Sequence, residues 1–255
     1  MLRVATLASV LAVAACANQG DEQMYVLNNT AVPGTDCVLT SSTTQPFLAH
    51  GEIWAGSSKG YFLTPLIESR IMQQSGIDPI QNTIQLRSAN VELSLKSVSI
   101  KHVDGAFETS QPNSSVGTFS ALFSGALQPG GTVNVGFEVL PPAKLQEIID
   151  GTGGDPYYDT IRAEVLATVT IFGDINGSEV TSSPFLYPIT ICTDCVVSLY
   201  VDDMGIPLAC PVPMGYTPRT GNACNKYQDG AVDCCRVART DGTYDLVCPA
   251  PVATM

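Results

Sequence analysis

The placement of the cysteines constrains this chain more than any other feature. Leaving aside Cys16, at the end of an apolar N-terminal run, eight remain: Cys37, Cys192, Cys195, Cys210, Cys224, Cys234, Cys235 and Cys248. Seven of the eight fall between 192 and 248, while Cys37 stands alone near the start. An even set in an oxidising compartment is read as disulfides. If all eight pair within one chain, one of the seven must reach back to Cys37, and the other six form three bridges among themselves. Neighbouring Cys234 and Cys235 are expected to take different partners, because a vicinal bridge is strained. A bridge from Cys37 to Cys192 or Cys195 would close a loop of about 155 residues, for which chain entropy gives roughly 5 kcal/mol of stabilisation. The C-terminal segment is therefore expected to be tied to the beginning of the folded region.

Cys192 and Cys195 form a Cys-x-x-Cys pair within ICTDC. Zinc sites and thiol oxidoreductases use the same spacing. A structural zinc site needs four reduced ligands in recognisable pairs, and the chain has one such pair with neither histidine near it. A thioredoxin-like pair opens a helix after a strand. This one follows a strand-like run and leads into another, VVSLYV. The pair reads as a structural staple, with no metal or other cofactor expected.

The N-terminus, MLRVATLASVLAVAACANQG, has one cation, Arg3, and an uncharged run from Val4 to Ala15. That run is short for a bilayer span, which needs about 20 apolar residues, and it has the flanks of a secretory signal. Val13-Ala14-Ala15-Cys16 resembles the bacterial lipobox, an aliphatic and two small residues before a cysteine. The resemblance covers the first sixteen residues. It implies that Cys16 receives a diacylglycerol, that the signal is cut before it, and that the new amine is acylated with a chain such as palmitate. Ala17-Asn18 lacks the aspartate that commonly retains proteobacterial lipoproteins in the inner membrane, which implies an outer-membrane address. Several acyl chains anchor a protein without a spanning helix. Residues 1–15 are expected to be the signal peptide and 16–34 a lipidated, polar leader, although MYVL within it has strand character.

Charge agrees with export. The chain carries 12 basic and 24 acidic residues, a net charge of −12. Cleavage before Cys16 removes one cation and no acid, leaving 11 against 24, or −13. Such a surface repels a phosphate backbone, so no nucleic-acid partner is expected.

From about 35 to 191 the dominant period is two. In IRAEVLATVTIF, Ile161, Ala163, Val165, Ala167, Val169 and Ile171 share one face. Asn176-Gly177 is a hairpin signal, and the returning run carries Pro184 and Pro188, which suits an edge strand. NVELSLKSVSI alternates through Val91, Leu93 and Leu95, then slips by one to Val98 and Ile100, predicting a bulge near Lys96-Ser97. TVNVGFEVL, FLAHGEIWA, YFLTPL, NTIQL and VGTFSALFSGAL are further strand candidates. Helix is expected in PPAKLQEIIDG, with Leu145, Ile148 and Ile149 on one face and Gly151 ending it. A second is expected in PLIESRIMQQSG, where Leu66, Ile67, Arg70 and Ile71 fall at helical spacing. The pattern predicts an all-β protein: an antiparallel β-sandwich over 35–191, immunoglobulin-like in preference to a jelly roll. Residues 192–255 would form a disulfide-stapled, loop-rich segment with too little apolar surface for a core of its own.

No catalytic set emerges. His50 and His102 have no Gly-x-Ser-x-Gly elbow to serve. Asp202-Asp203 would point to opposite sides of a strand. Asp150, Asp155 and Asp159 lie in a Gly-rich loop that oxygen-seeking calcium could use, though a solvated loop is the plainer reading. Tyr157, Tyr158, Trp54 and Tyr61 are candidates for a carbohydrate- or protein-binding patch. The arrangement is similar to uncharacterised bacterial envelope lipoproteins with a β-sandwich and a Cys-rich C-terminal segment. It implies a non-enzymatic, lipid-anchored binding or assembly component whose partner is an envelope protein, a polysaccharide or another copy. A periplasmic thiol oxidoreductase or other envelope enzyme is the alternative, and a calcium-dependent adhesin a third.

Overall fold

Strict alternation builds the central sheet of this protein, here in a computed structural model. The structure describes residues 23–32, 36–72, 82–157, 159–201, 209–240 and 244–252. The signal, Cys16 and the Asp202-Asp203 pair lie outside the described residues. The strands are β1 (Met24–Thr30), β2 (Phe47–Leu48), β3 (Gly51–Trp54), β4 (Tyr61–Leu63), β5 (Pro65–Ser69), β6 (Ile84–Lys101), β7 (Phe107–Ser110), β8 (Ser114–Leu127), β9 (Thr132–Asn134) and β10 (Phe137–Leu140). Helix α1 (Pro142–Thr152) follows. Then come β11 (Thr160–Ile175), β12 (Ser178–Thr181), β13 (Phe185–Cys192), β14 (Val197–Leu199), β15 (Val232–Ala238) and β16 (Tyr244–Val247).

The protein is mostly β, as the sequence predicts. One layer is β3-β13-β11-β6, with β8 and β7 following one another along the outer side of β6. The facing layer comprises β2-β1-β5-β9 and the β4–β10 pair. β4 and β5 are separated by Thr64 alone, so these strands continue one another. Residues of both layers share one apolar cluster, including Ile67, Leu63, Val139, Val91 and Val165, which makes the fold a sandwich. All six inward positions of β11 from Ile161 to Ile171 are buried. At about 25 cal/mol per Å², such rows supply the main driving force.

Local signals hold where they are steric. Asn176 and Gly177 both have positive φ (52° and 81°), the primed turn that Asn-Gly favours, and they join β11 to β12. The β6–β11 register shifts where Val165 faces Leu95 and Glu164 faces Ser97, leaving Lys96 as the predicted bulge. α1 buries Leu145, Ile148 and Ile149, but it ends at Thr152, one residue past Gly151, with Gly153 left-handed at its C-cap (φ 74°).

Three expectations need correction. The second helix is absent from the described part of PLIESRIMQQSG. Pro65–Ser69 is β5, paired on both sides by β1 and β9, so ladder bonding and burial on two faces override the helical spacing. Residues 73–76 of that motif lie outside the described residues. β1 falls inside the segment expected to be leader, yet Met24 is fully buried, so β1 belongs to the sandwich. β13 is an edge along its first half only: β3 pairs with it in parallel from Ile189 to Cys192, just beyond Pro188.

Candidate functional site

The four disulfides are Cys37–Cys224, Cys192–Cys195, Cys210–Cys235 and Cys234–Cys248. Three lie within the C-terminal segment and one reaches back to Cys37, as parity requires. Cys37 takes Cys224 in place of Cys192 or Cys195, and the closed loop is longer, 187 residues in separation. Cys192 ends β13 and is buried against β3. It bonds Cys195 across the bend into β14, where the thioredoxin-like arrangement would have a helix. Four disulfides suit an oxidising, extracytoplasmic compartment. Among the described residues no helix is long and apolar enough to cross a membrane.

The stapled segment folds as a small sheet, β14-β15-β16, with an apolar seam of Trp54, Val196, Val232, Cys234 and Cys248. Inside it, Arg219 binds Asp233 through Nε (3.0 Å) and Nη2 (2.5 Å), and the Tyr216 hydroxyl donates to the same carboxylate at 2.8 Å. Burial opposes this charge, but the Arg219 and Tyr216 bonds prevail and hold the Asp233 carboxyl below the ordinary range.

A polar clamp then docks the segment on the sandwich. Asn225 Nδ2 donates to the Gly60 carbonyl at 2.7 Å. Gln228 accepts from Phe62 N–H and donates to Phe62 C=O, both at 2.8 Å, as another strand would. Asp229, left-handed at φ 49°, accepts the Glu52 N–H at 2.9 Å and the Tyr61 hydroxyl at 2.5 Å. Tyr61 also bonds the Tyr187 hydroxyl at 2.9 Å, and Asn29 Nδ2 donates to Tyr187 at 2.8 Å. Burial pushes Asp229 up to about 6, against the pull of its hydrogen bonds. It also drives both tyrosine hydroxyls well above their usual range. The clamp is structural, and the sequence hid it: Asn29, Tyr61, Tyr187 and the adjacent Gln228 and Asp229 come from four distant points of the chain and share no spacing.

The candidate site lies beside this docking seam. A groove of about 440 Å³ is lined by Trp54, Tyr157, Asp159, Asp194, Arg236, Leu246 and neighbours from β14. Tyr157 is half exposed and meets Trp54 edge-on, ring centres 5.9 Å apart; Tyr227 packs on Trp54 from another side at 5.4 Å. Arg162 and Asp194 pair at 3.9 Å. Of the expected patch, Trp54 and Tyr157 are thus brought together, but Trp54 is buried and only Tyr157 is exposed to solvent. Tyr61 is not part of it, being fully buried in the clamp, and Tyr158 lies outside the described residues.

The remaining candidates resolve locally. His102 Nδ1 sits 3.2 Å from Asp159, whose other oxygen accepts the Val103 N–H at 3.1 Å. The Asp155 N–H, then Val103 and His102, hold the Asp159 carboxyl below the ordinary range despite some burial. These bonds tie the β6–β7 hairpin to the Gly-rich loop. Asp150 accepts from Gln146 and Asp155 from the Tyr157 N–H, so the three loop carboxylates do not converge. Among the described residues no three metal-ligating side chains gather. His50 is exposed beside Glu52 at 3.5 Å.

No family model matches the chain, and no curated protein matches it. Among solved structures it is similar to a protein from Archaeoglobus fulgidus, at 10% identity and a TM-score of 0.32 over 55% of this chain and 90% of that one. It is also similar to Spo0M, a sporulation control protein from Bacillus subtilis, at 14% identity and a TM-score of 0.19 over 51% of this chain. The chain covers 43% of that protein's length.

Proposed function

We propose that this chain is a non-enzymatic lipoprotein of the bacterial cell envelope, anchored through Cys16, that holds a binding surface away from its membrane. The observation that supports this most is the polarity of the sandwich. Met24, the residue through which the leader enters, pairs with Ser69 and bridges Ser182, and Ser182 bonds Ile171 near one end of β11. The Cys192–Cys195 staple, the 102–106 hairpin, the end of α1 and the Trp54–Tyr157 groove cluster at the other end, around Ile161. Ile171 and Ile161 lie ten residues apart on β11, so the two poles are separated by about 33 Å. An anchor at the first pole points the second outward. The groove sets the half-exposed Tyr157 ring beside the exposed Asp194 carboxylate, and that combination suits an envelope polysaccharide. The outer membrane is the expected address.

The test is metabolic labelling with palmitate together with fractionation. The wild-type chain should incorporate label and sediment with outer membrane, and Cys16→Ser should lose both. A labelled or membrane-bound Cys16→Ser protein would refute the anchor. On purified protein, Tyr157→Ala should weaken retention on envelope polysaccharide several-fold, and equal retention would refute the groove.

A further inference from the structure

We infer that the cavity between α1 and the far end of β6 binds a linear aliphatic amine. The cavity has a volume of about 390 Å³, within the range of small-molecule sites. Its floor is Leu95, Val98 and Ile100 of β6, with Ile148 of α1 beside them. Val98, Ile100 and Ile148 belong to the main apolar cluster, and Leu95 packs against it. The floor is therefore core that the sandwich leaves uncovered.

Strand register explains the opening. Directly opposite residues of an antiparallel pair share one face of the sheet. Glu108 stands opposite Ile100, Ser110 opposite Val98 and Ser114 opposite Leu95. The inward positions of β7 and of the start of β8 are thus polar, where those of β6 and β11 are apolar. All three are exposed and cannot close the floor as Val or Leu would.

Charge selects the head group. Glu147, on the α1 wall, already has its cation: the Lys144 ammonium donates to it at 2.7 Å and to the Val116 carbonyl at the cavity edge at 2.9 Å. Glu108, on the opposite wall, has none fixed in place. Among the described residues its ion-pair neighbour is His102 Nε2 at 3.8 Å, which is charged only when protonated. An aliphatic floor beside an unmatched carboxylate fits a run of methylenes that ends in an ammonium. The net charge of −12 draws such a cation in and repels a fatty acid of the same length. The cavity lies by the 102–106 hairpin and the end of α1, at the pole away from Met24, so an anchored chain leaves it accessible. It shares no residue with the Trp54–Tyr157 groove, so the two stand or fall separately.

Calorimetric titration of the exported chain carrying Cys16→Ser with hexylamine at neutral pH tests the site. One saturable site is expected, with 1-hexanol and hexanoate about tenfold weaker or more. Glu108→Gln, at an exposed position, removes one charge-assisted bond; it should weaken hexylamine about tenfold and bring it level with 1-hexanol. Gly151 lines the cavity from α1, and a Cβ there meets nothing within 4 Å among the described residues. Gly151→Leu keeps the net charge, favours the helix and fills the space, so it should abolish binding without lowering the melting temperature. The absence of saturable binding would overturn the inference, as would equal binding of 1-hexanol or a Glu108→Gln protein that binds like the wild type. A Gly151→Leu protein that still binds would also overturn it, because attraction to net charge alone survives that change. Tighter binding of Nα-acetyl-lysine methylamide than of hexylamine would overturn the free amine and assign the cavity to a lysine side chain of a partner.

Discussion

Asp229 makes the docking of the C-terminal segment dependent on pH in an unusual direction. Its carboxyl is raised from 3.8 to about 6, chiefly by burial. A carboxyl raised in the folded state contributes stability that is fully present below pH 3.8 and is lost as pH climbs from there through about 6. The gap between 3.8 and about 6 corresponds to about 3 kcal/mol. Urea unfolding at fixed pH values from 4.5 to 8, with disulfides intact, measures it. Asp229→Asn keeps an oxygen for the Glu52 N–H but turns an amide toward Tyr61 and the Gln228 Nε2, which is 3.1 Å from the replaced oxygen. At pH 4.5 the variant should be about 1–2 kcal/mol less stable, because two donors then face each other. As pH rises the wild type alone should lose about 2–3 kcal/mol from this group, so the two curves converge or cross. Asp233 and Asp159 have lowered values and lose their contributions below pH 4, outside the window. Parallel curves across the window would refute the assignment of a buried, charged Asp229.

The disulfides and one glycine give further tests. By chain entropy the Cys37–Cys224 bridge, spanning 187 residues, should contribute roughly 5 kcal/mol and Cys192–Cys195 less than about 2 kcal/mol. Removing each pair as serines and comparing urea midpoints checks the order, and a larger loss from Cys192→Ser/Cys195→Ser would contradict it. Alkylation without reduction should find no free thiol in the exported Cys16→Ser chain; two reactive thiols would move redox chemistry to Cys192 and Cys195. Gly60→Ala would place a Cβ 2.2 Å from the Leu140 carbonyl oxygen. That should cost about 2 kcal/mol or more in urea, or roughly 4–8 °C in melting temperature, and an unchanged midpoint would refute the close approach of β4 to β10.

Some of this architecture was legible because its causes are local or combinatorial. Side chains alternate across a strand whatever its neighbours, so β11 and the bulge at Lys96 could be read from the residues alone. Asn-Gly specifies its turn through φ, and eight cysteines split seven to one force a long-range bridge by parity. The sequence did not reveal that Pro65–Ser69 is a strand, because its helical spacing yields only to partners on both sides. Nor did it give Cys224 as the partner of Cys37, since parity counts bridges without measuring distance. The clamp of Asn29, Tyr61, Tyr187, Gln228 and Asp229, and the meeting of Trp54 with Tyr157, exist only after two layers and a stapled segment close on one another. Periodicity and parity are properties of the chain, and juxtaposition across more than a hundred residues is a property of the packed fold.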